Sequence, residues 1–113
     1  MEIDAGDIFA NIRLFTREEG GRESETPADR LACMFEYEGQ LFDCWVLLET
    51  TGPLKPGTRA RIPIRFAFPE LIVPRVNAGS WFKLKDYRTI AEGTIEKVIS
   101  KQTIKSLGQR PQV

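Results

Sequence analysis

Apolar residues recur at every second position along short segments of this chain, and strand-breaking residues separate the segments. The first segment shows the pattern in Ile8, Ala10, Ile12 and Leu14, which alternate with other residue types. A period of two is typical of a β-strand with one face buried. The 3.6-residue period of an amphipathic helix occurs only weakly, over residues 95–104. The pattern therefore predicts an all-β protein.

Six strands follow from this alternation. They are predicted over residues 8–17, 31–37, 41–48 and 58–68, and in the two halves of a hairpin within residues 79–99. Residues 18–28 are predicted to form an exposed loop, and residues 69–74 a brief extended stretch between prolines. Pro63 cannot donate a ladder hydrogen bond, which predicts that it lies at a sheet edge, a barrel seam or a bulge. Gly93 is predicted to permit a bulge or strong coiling.

Short strands with turns between them favour a small antiparallel barrel or sandwich. The predicted organisation is an N-terminal extension over residues 1–7, one β-domain over residues 8–99 and a polar tail over residues 100–113. A chain of 113 residues with 42% hydrophobic and 28% charged residues suits one such domain. The acidic N-terminus and the absence of a long apolar run predict a cytoplasmic protein with no membrane segment.

The charge and residue types narrow the function further. Sixteen basic and sixteen acidic residues cancel, so any binding to nucleic acid must come from a local patch. Histidine is absent, which removes the usual proton-transfer group and the commonest metal ligand. We therefore expect no enzyme, no metal and no cofactor, and a hydrolase is the least favoured class.

The two cysteines, Cys33 and Cys44, lie in apolar runs and are predicted to be buried free thiols. If Gly39 and Gln40 form the turn between the second and third strands, the cysteines fall two positions out of direct register. That offset argues against a disulfide between them.

Two motifs resemble the third domain of elongation factor Tu. Residues 12–22 contain the end of the first strand, followed by an acidic residue, two glycines and an arginine. Residues 79–99 contain a glycine-led strand, a basic-acidic corner at Lys85-Asp86, the pair Arg88-Thr89, a glycine and a second strand. The motifs occur in the family's order, and the resemblance extends over residues 8–99.

The resemblance implies a single six-stranded antiparallel β-barrel of Greek-key type. In the elongation factor this domain contacts tRNA and docks on the GTPase domain. The chain has no Gly-x-x-x-x-Gly-Lys-Ser/Thr loop, so no nucleotide is expected and GTP hydrolysis is excluded. The implied function is a freestanding, non-enzymatic module that binds tRNA or a translation-related protein. Residues 23–27 and 29–35 depart from the family's pattern, so functions tied to that region do not carry over.

Two sets of residues are candidates for contact with nucleic acid or another partner. By position, the corner carboxylate that approaches tRNA in the family corresponds to Asp86, with Lys85, Tyr87 and Arg88 beside it. The alternative for this corner is a solvated β-turn.

The second set is a basic ladder on the fourth strand. Arg59, Arg61 and Arg65 share one strand face, with neighbours about 6.6 Å apart, near the phosphate spacing of nucleic acid. The alternative is the solvated outside of a barrel.

Outward aromatic residues predict a protein interface. Trp81 shares a strand face with Lys83 and Lys85, and Lys83 is a further candidate for contact with nucleic acid or another partner. Phe9 and Phe15 are predicted to face outward on the first strand. In the elongation factor, outward apolar residues would meet the GTPase domain. In this chain a homo-oligomer, another partner or the tail would have to cover them.

A second function class remains open. The loop residues Glu18, Glu19, Glu23 and Glu25 would suit the basic cleft of a toxin or another enzyme. On this alternative the chain is an immunity or inhibitor protein.

Overall fold

The alternating segments of the sequence fold into six antiparallel strands that close into a barrel. The computed structural model describes residues 5–99. The strands are β1 (Ile8–Leu14), β2 (Arg30–Tyr37), β3 (Gln40–Leu47), β4 (Arg59–Phe66), β5 (Trp81–Asp86) and β6 (Arg88–Val98). Around the barrel they follow the order β1, β4, β3, β2, β5, β6, and β6 pairs with β1. The return of β1 beside β4 gives a Greek key, so the predicted fold class is confirmed.

The barrel interior is filled by the apolar side chains that the alternation predicts. Three phenylalanine rings meet at its centre: Phe35 stacks on Phe82 with centroids 4.4 Å apart, and Phe66 meets Phe35 edge-on at 4.9 Å. Such edge-on and offset pairs add to the stability that burial supplies. Because side chains occupy the interior, any binding surface lies on the outer faces or at the barrel ends.

The strands β6 and β1 approach each other closely at Gly93. A Cβ atom on Gly93 would lie 2.5 Å from the backbone oxygen of Asn11 and 3.0 Å from Phe82 Cζ. The two bulges of β6 fall elsewhere, because the register shifts leave Ile90 and Glu96 without a direct partner. Gly93 is therefore not a bulge residue; it permits a close approach between strands.

The β2–β3 hairpin corrects the predicted register of the cysteines. Its turn consists of Glu38 and Gly39, both with positive φ (49° and 79°), and this is the backbone of a type I′ turn. Cys33 and Cys44 are consequently directly opposite, with Sγ atoms 3.7 Å apart. The predicted offset was wrong because it assumed a turn one residue later. Both cysteines are free and buried, as predicted, and the contact with Cys33 together with burial raises the pKa of Cys44.

Three strand and loop boundaries also differ from the prediction. Strand β1 ends at Leu14 rather than at residue 17, because residues 17–20 form a turn. Residues 69–74 are not extended; two short 3₁₀ turns, Pro69–Leu71 and Val73–Arg75, cover one barrel end. Phe68, the last residue of the predicted fourth strand, lies past the end of β4 and is 56% exposed.

Pro63 lies where the ladder between β3 and β4 stops. Ala67 N–H donates to Asp43 O (3.0 Å), so alternate residues of β4, including Pro63, turn their nitrogen towards β3. The pairing with β3 runs only from Phe66 to Ile64. The missing N–H of Pro63 therefore costs no ladder bond, which agrees with one of the three predicted locations, a barrel seam.

The barrel ends are held by buried polar contacts. Asp7 Oδ2 accepts a hydrogen bond from Phe66 N–H (2.8 Å), so part of the predicted extension packs onto β4. Thr26 lies in the loop predicted to be exposed, yet it is buried. Its N–H donates to the Leu54 carbonyl, and its hydroxyl oxygen accepts a hydrogen bond from the Leu54 N–H (2.9 Å each).

Within residues 5–99 no helix has the length and apolar character of a membrane span. The predicted tail, residues 100–113, lies outside the described residues.

Candidate nucleic-acid interface

Basic side chains are concentrated on four neighbouring strands, β4, β1, β6 and β5. These strands carry eight basic residues, namely Arg13, Arg59, Arg61, Arg65, Lys83, Lys85, Arg88 and Lys97. They carry three acidic residues, namely Asp86, Glu92 and Glu96. The whole chain has equal numbers of both signs. We call the outer side of these four strands the basic face.

The strand register arranges the basic face in rows. One row runs from Arg61 through Asn11 and Thr94 to Trp81. Directly opposed residues of antiparallel strands have Cβ atoms about 5 Å apart, so members of a row are neighbours. The small side chains of Asn11 and Thr94 therefore lie between the longer Arg61 and Trp81.

The second row runs from Arg59 through Arg13 and Glu92 to Lys83. Between the rows lies a shallow groove of about 220 Å³, with Trp81 and Arg59 among its lining residues. Trp81 is 52% exposed, and Lys83 Nζ lies 5.3 Å from the centre of its ring. The groove thus combines an aromatic surface with cationic groups.

Ion pairs hold several of these side chains in place. The Arg13 guanidinium donates to both carboxylate oxygens of Glu19 (2.8 and 3.1 Å) and to Glu92 (3.3 Å). The hydrogen bond from Arg13 lowers the pKa of Glu19 to about 2, helped by the Thr16 N–H. Arg61 forms a two-pronged pair with Glu96 (2.9 and 2.8 Å), which lowers the pKa of Glu96. Such exposed pairs orient side chains more than they stabilise the fold.

Other cations on the basic face are not paired with a described residue and can bind an anionic partner. Arg59, Lys97 and Arg88 form no hydrogen bond or ion pair with any residue that the structure describes. The predicted ladder of Arg59, Arg61 and Arg65 does project outward from β4. Arg61 is paired with Glu96, and Arg65 also has an interaction partner. Arg59 is therefore the ladder residue best able to take a new anionic partner.

The two predicted interface phenylalanines are covered by cations. Arg61 lies over the ring of Phe9 at 5.4 Å, and Arg13 lies over Phe15 at 5.1 Å. Both rings are half-buried rather than exposed. Trp81 is consequently the exposed aromatic residue of the basic face.

The corner between β5 and β6 lies at one end of this face. Tyr87 is fully exposed and has φ of 66°, a conformation that non-glycine residues rarely adopt. Asp86 faces Arg22 at 3.6 Å, and Lys85 faces Glu36 at 3.4 Å. The pairs leave the corner balanced in charge, with an exposed aromatic ring and Arg88 beside it.

Only some glutamates of the acidic loop, residues 18–25, can bind a basic partner. Glu19 is held by Arg13 and by Thr16, whereas the exposed side chains of Glu18, Glu23 and Glu25 form no hydrogen bond or ion pair with another described residue. Three of the four predicted glutamates could therefore meet a basic partner.

Sequence reasoning did not assign Asn11, Thr94, Glu92, Arg13 or Lys97 to a site. The period of two places Asn11, Arg13, Glu92 and Thr94 on outward positions, whereas Lys97 faces outward only because of the bulge at Glu96. The neighbours of all five residues depend on the pairing of β1 with β4 and β6. These strands are far apart in the chain, and no turn between them reveals their register.

A scan against protein-family models and a search of curated proteins both find no match for this chain. The resemblance to the third domain of elongation factor Tu gains no support from them and stays a prediction. Among residues 5–99, no group of three or more His, Cys, Asp or Glu side chains is placed to hold a metal ion.

Proposed function

We propose that the chain is a non-enzymatic binding module that holds RNA, such as tRNA, on the basic face. The observation that carries the proposal is the excess of eight basic over three acidic residues on β4, β1, β6 and β5, in a chain with no net charge. A protein that neutralises phosphates releases condensed counterions, and this supplies much of the affinity for nucleic acid. A local patch can do so where the whole molecule cannot.

The exposed Trp81 supports the same class of partner. An aromatic ring beside free cations is the combination that proteins use to hold unpaired bases and their phosphates. The resemblance to the elongation factor's third domain also points to tRNA, and by position it implicates the corner carboxylate, Asp86. Here Arg59 and Lys97 on the strands, with Arg88 at the corner, are the cations that lack a described partner.

Charge-neutralising variants test the proposal. We expect Arg59→Gln with Lys97→Gln to weaken binding of fluorescent tRNA about tenfold at low salt and to reduce the slope of log K against log [salt] by about 1 per residue. Fluorescence anisotropy at several salt concentrations measures both. The matched control, Arg17→Gln with Lys55→Gln, removes the same charge from exposed loops and should change affinity much less. The proposal fails if tRNA does not bind at low salt, or if both pairs weaken it equally.

The free glutamates of the acidic loop favour a second candidate function. Glu18, Glu23 and Glu25 could occupy the basic cleft of a toxin or another enzyme, as in an immunity or inhibitor protein. Affinity capture from the native cell should then recover one basic enzyme at near-equal stoichiometry. Changing the three residues to Lys should abolish this capture while leaving tRNA binding intact.

A further inference from the structure

We infer that the groove beside Trp81 holds one unstacked base of a single nucleic-acid strand, with a neighbouring phosphate at Arg59. The inference rests on the proposed function and adds where and how a base is held. Three observations carry it: the exposed indole, the uncommitted polar side chains of the groove and the free guanidinium at its rim.

The indole is the first observation. Lys83 Nζ lies over the Trp81 ring at 5.3 Å, and the ring also lines the groove. With 52% of its surface exposed, the Trp81 side chain can also receive a planar group. Stacking of a base on an aromatic side chain contributes about 1–3 kcal/mol per base, that is, roughly fivefold to 150-fold in affinity.

Two polar residues on one side of the groove are the second observation. Asn11 and Thr94 are paired across β1 and β6, and neither side chain forms a hydrogen bond with any described residue. An amide and a hydroxyl can both donate and accept, so together they can meet the mixed donors and acceptors of a base edge. Glu92 also lines the groove, from the second row, and Arg13 holds one of its oxygens.

The rim supplies the third observation. Arg59 lines the same groove and has no partner within the described part of the chain. Its guanidinium can bind a phosphate through two parallel hydrogen bonds. A planar group and an anion side by side are the chemistry of a nucleotide unit, which distinguishes this occupant from a neutral sugar or an acidic peptide.

Tryptophan fluorescence can test the inference directly, because the chain has only two tryptophans. Trp45 lies on β3, which is not part of the basic face, so Trp45→Phe leaves Trp81 as the sole reporter. The probes are an oligothymidylate octamer and an octamer of the same phosphate count with stable abasic sugars. We expect the first to quench Trp81 fluorescence and to bind at least fivefold more tightly than the second.

Variants of Trp81 complete the experiment. Trp81→Ala should remove the difference between the two octamers, and Trp81→Phe should restore part of it, because phenylalanine keeps a stacking surface. Asn11→Ala should weaken the thymidylate octamer but not the abasic one. The unfolding midpoint of each variant shows whether the fold is kept, as expected for exposed positions.

The outcomes separate the two proposals. If the octamers bind equally and Trp81→Ala changes nothing, the base site is wrong, while RNA binding by the basic face stands. If neither octamer nor tRNA binds at low salt, the proposed function fails and the base site fails with it.

Discussion

Gly93 is the residue on which the closest approach between strands depends. We expect Gly93→Ala to lower the free energy of unfolding by about 1–3 kcal/mol, because the new methyl group would lie 2.5 Å from the Asn11 oxygen, which belongs to the backbone and cannot rotate away. Urea unfolding measures the change. The neighbouring outward residue supplies the control: Thr94→Ala should stay within about 0.5 kcal/mol of the wild type. Equal midpoints for the wild type and Gly93→Ala would show that the strands do not approach this closely.

Glu19 connects the first loop to β1 through a charge that depends on pH. Its pKa falls from the ordinary 4.5 to about 2 in the folded protein, chiefly through the hydrogen bond from Arg13. A lowered pKa adds stability above the unfolded-state value, and that stability is lost as pH falls from 4.5 towards 2. We therefore expect Glu19→Gln to be less stable than the wild type at neutral pH and the difference to shrink over this acidic range.

Unfolding midpoints measured from pH 7 to pH 2 check this expectation. Glu18→Gln removes the same charge from an exposed neighbour and should not reproduce the loss at neutral pH. A difference between the wild type and Glu19→Gln that stays constant down to pH 2 would contradict the role of the ion pair.

At the level of elements, two loops that are distant in sequence close one end of the barrel through Thr26. We expect Thr26→Val to cost about 1–3 kcal/mol, because the Leu54 N–H would lose its buried acceptor, now 2.9 Å away. Thr51→Val is the matched control, since the Thr51 hydroxyl is exposed and bonds only to the adjacent Gly52 carbonyl among described residues. Chemical denaturation compares the two, and similar small losses would rule out a structural role for the Thr26 hydroxyl.

The elements themselves were largely predictable, whereas their ends were not. The alternation identifies all six strands because each buries one face against a common core. It carries β1 on to residue 17 and β4 on to Phe68, since the apolar pattern continues after the hydrogen-bonded ladder has ended. The β2–β3 turn was misplaced by one residue, because a non-glycine residue, Glu38, occupies a left-handed position there.

For the whole molecule, the distribution of charge matters more than its sum. A net charge of zero would give no reason to expect binding to nucleic acid. Closure of the barrel places β4, β1, β6 and β5 side by side, and their basic residues then share one surface. The acidic residues lie mostly on the loops and on the β2–β3 hairpin. The two signs of charge are therefore separated on the surface although the net charge is zero.

The sequence by itself determined the all-β class, the inward residues within each strand and the outward positions of Trp81 and the arginines of β4, because these follow from a period of two. Only the tertiary structure decided which outward residues meet. Asn11, Thr94 and Trp81 form one row through the pairings of β1 with β6 and of β6 with β5. The register of β1 against β6 arises from packing of the whole barrel, including the close approach at Gly93, and a pattern confined to one strand carries no information about it.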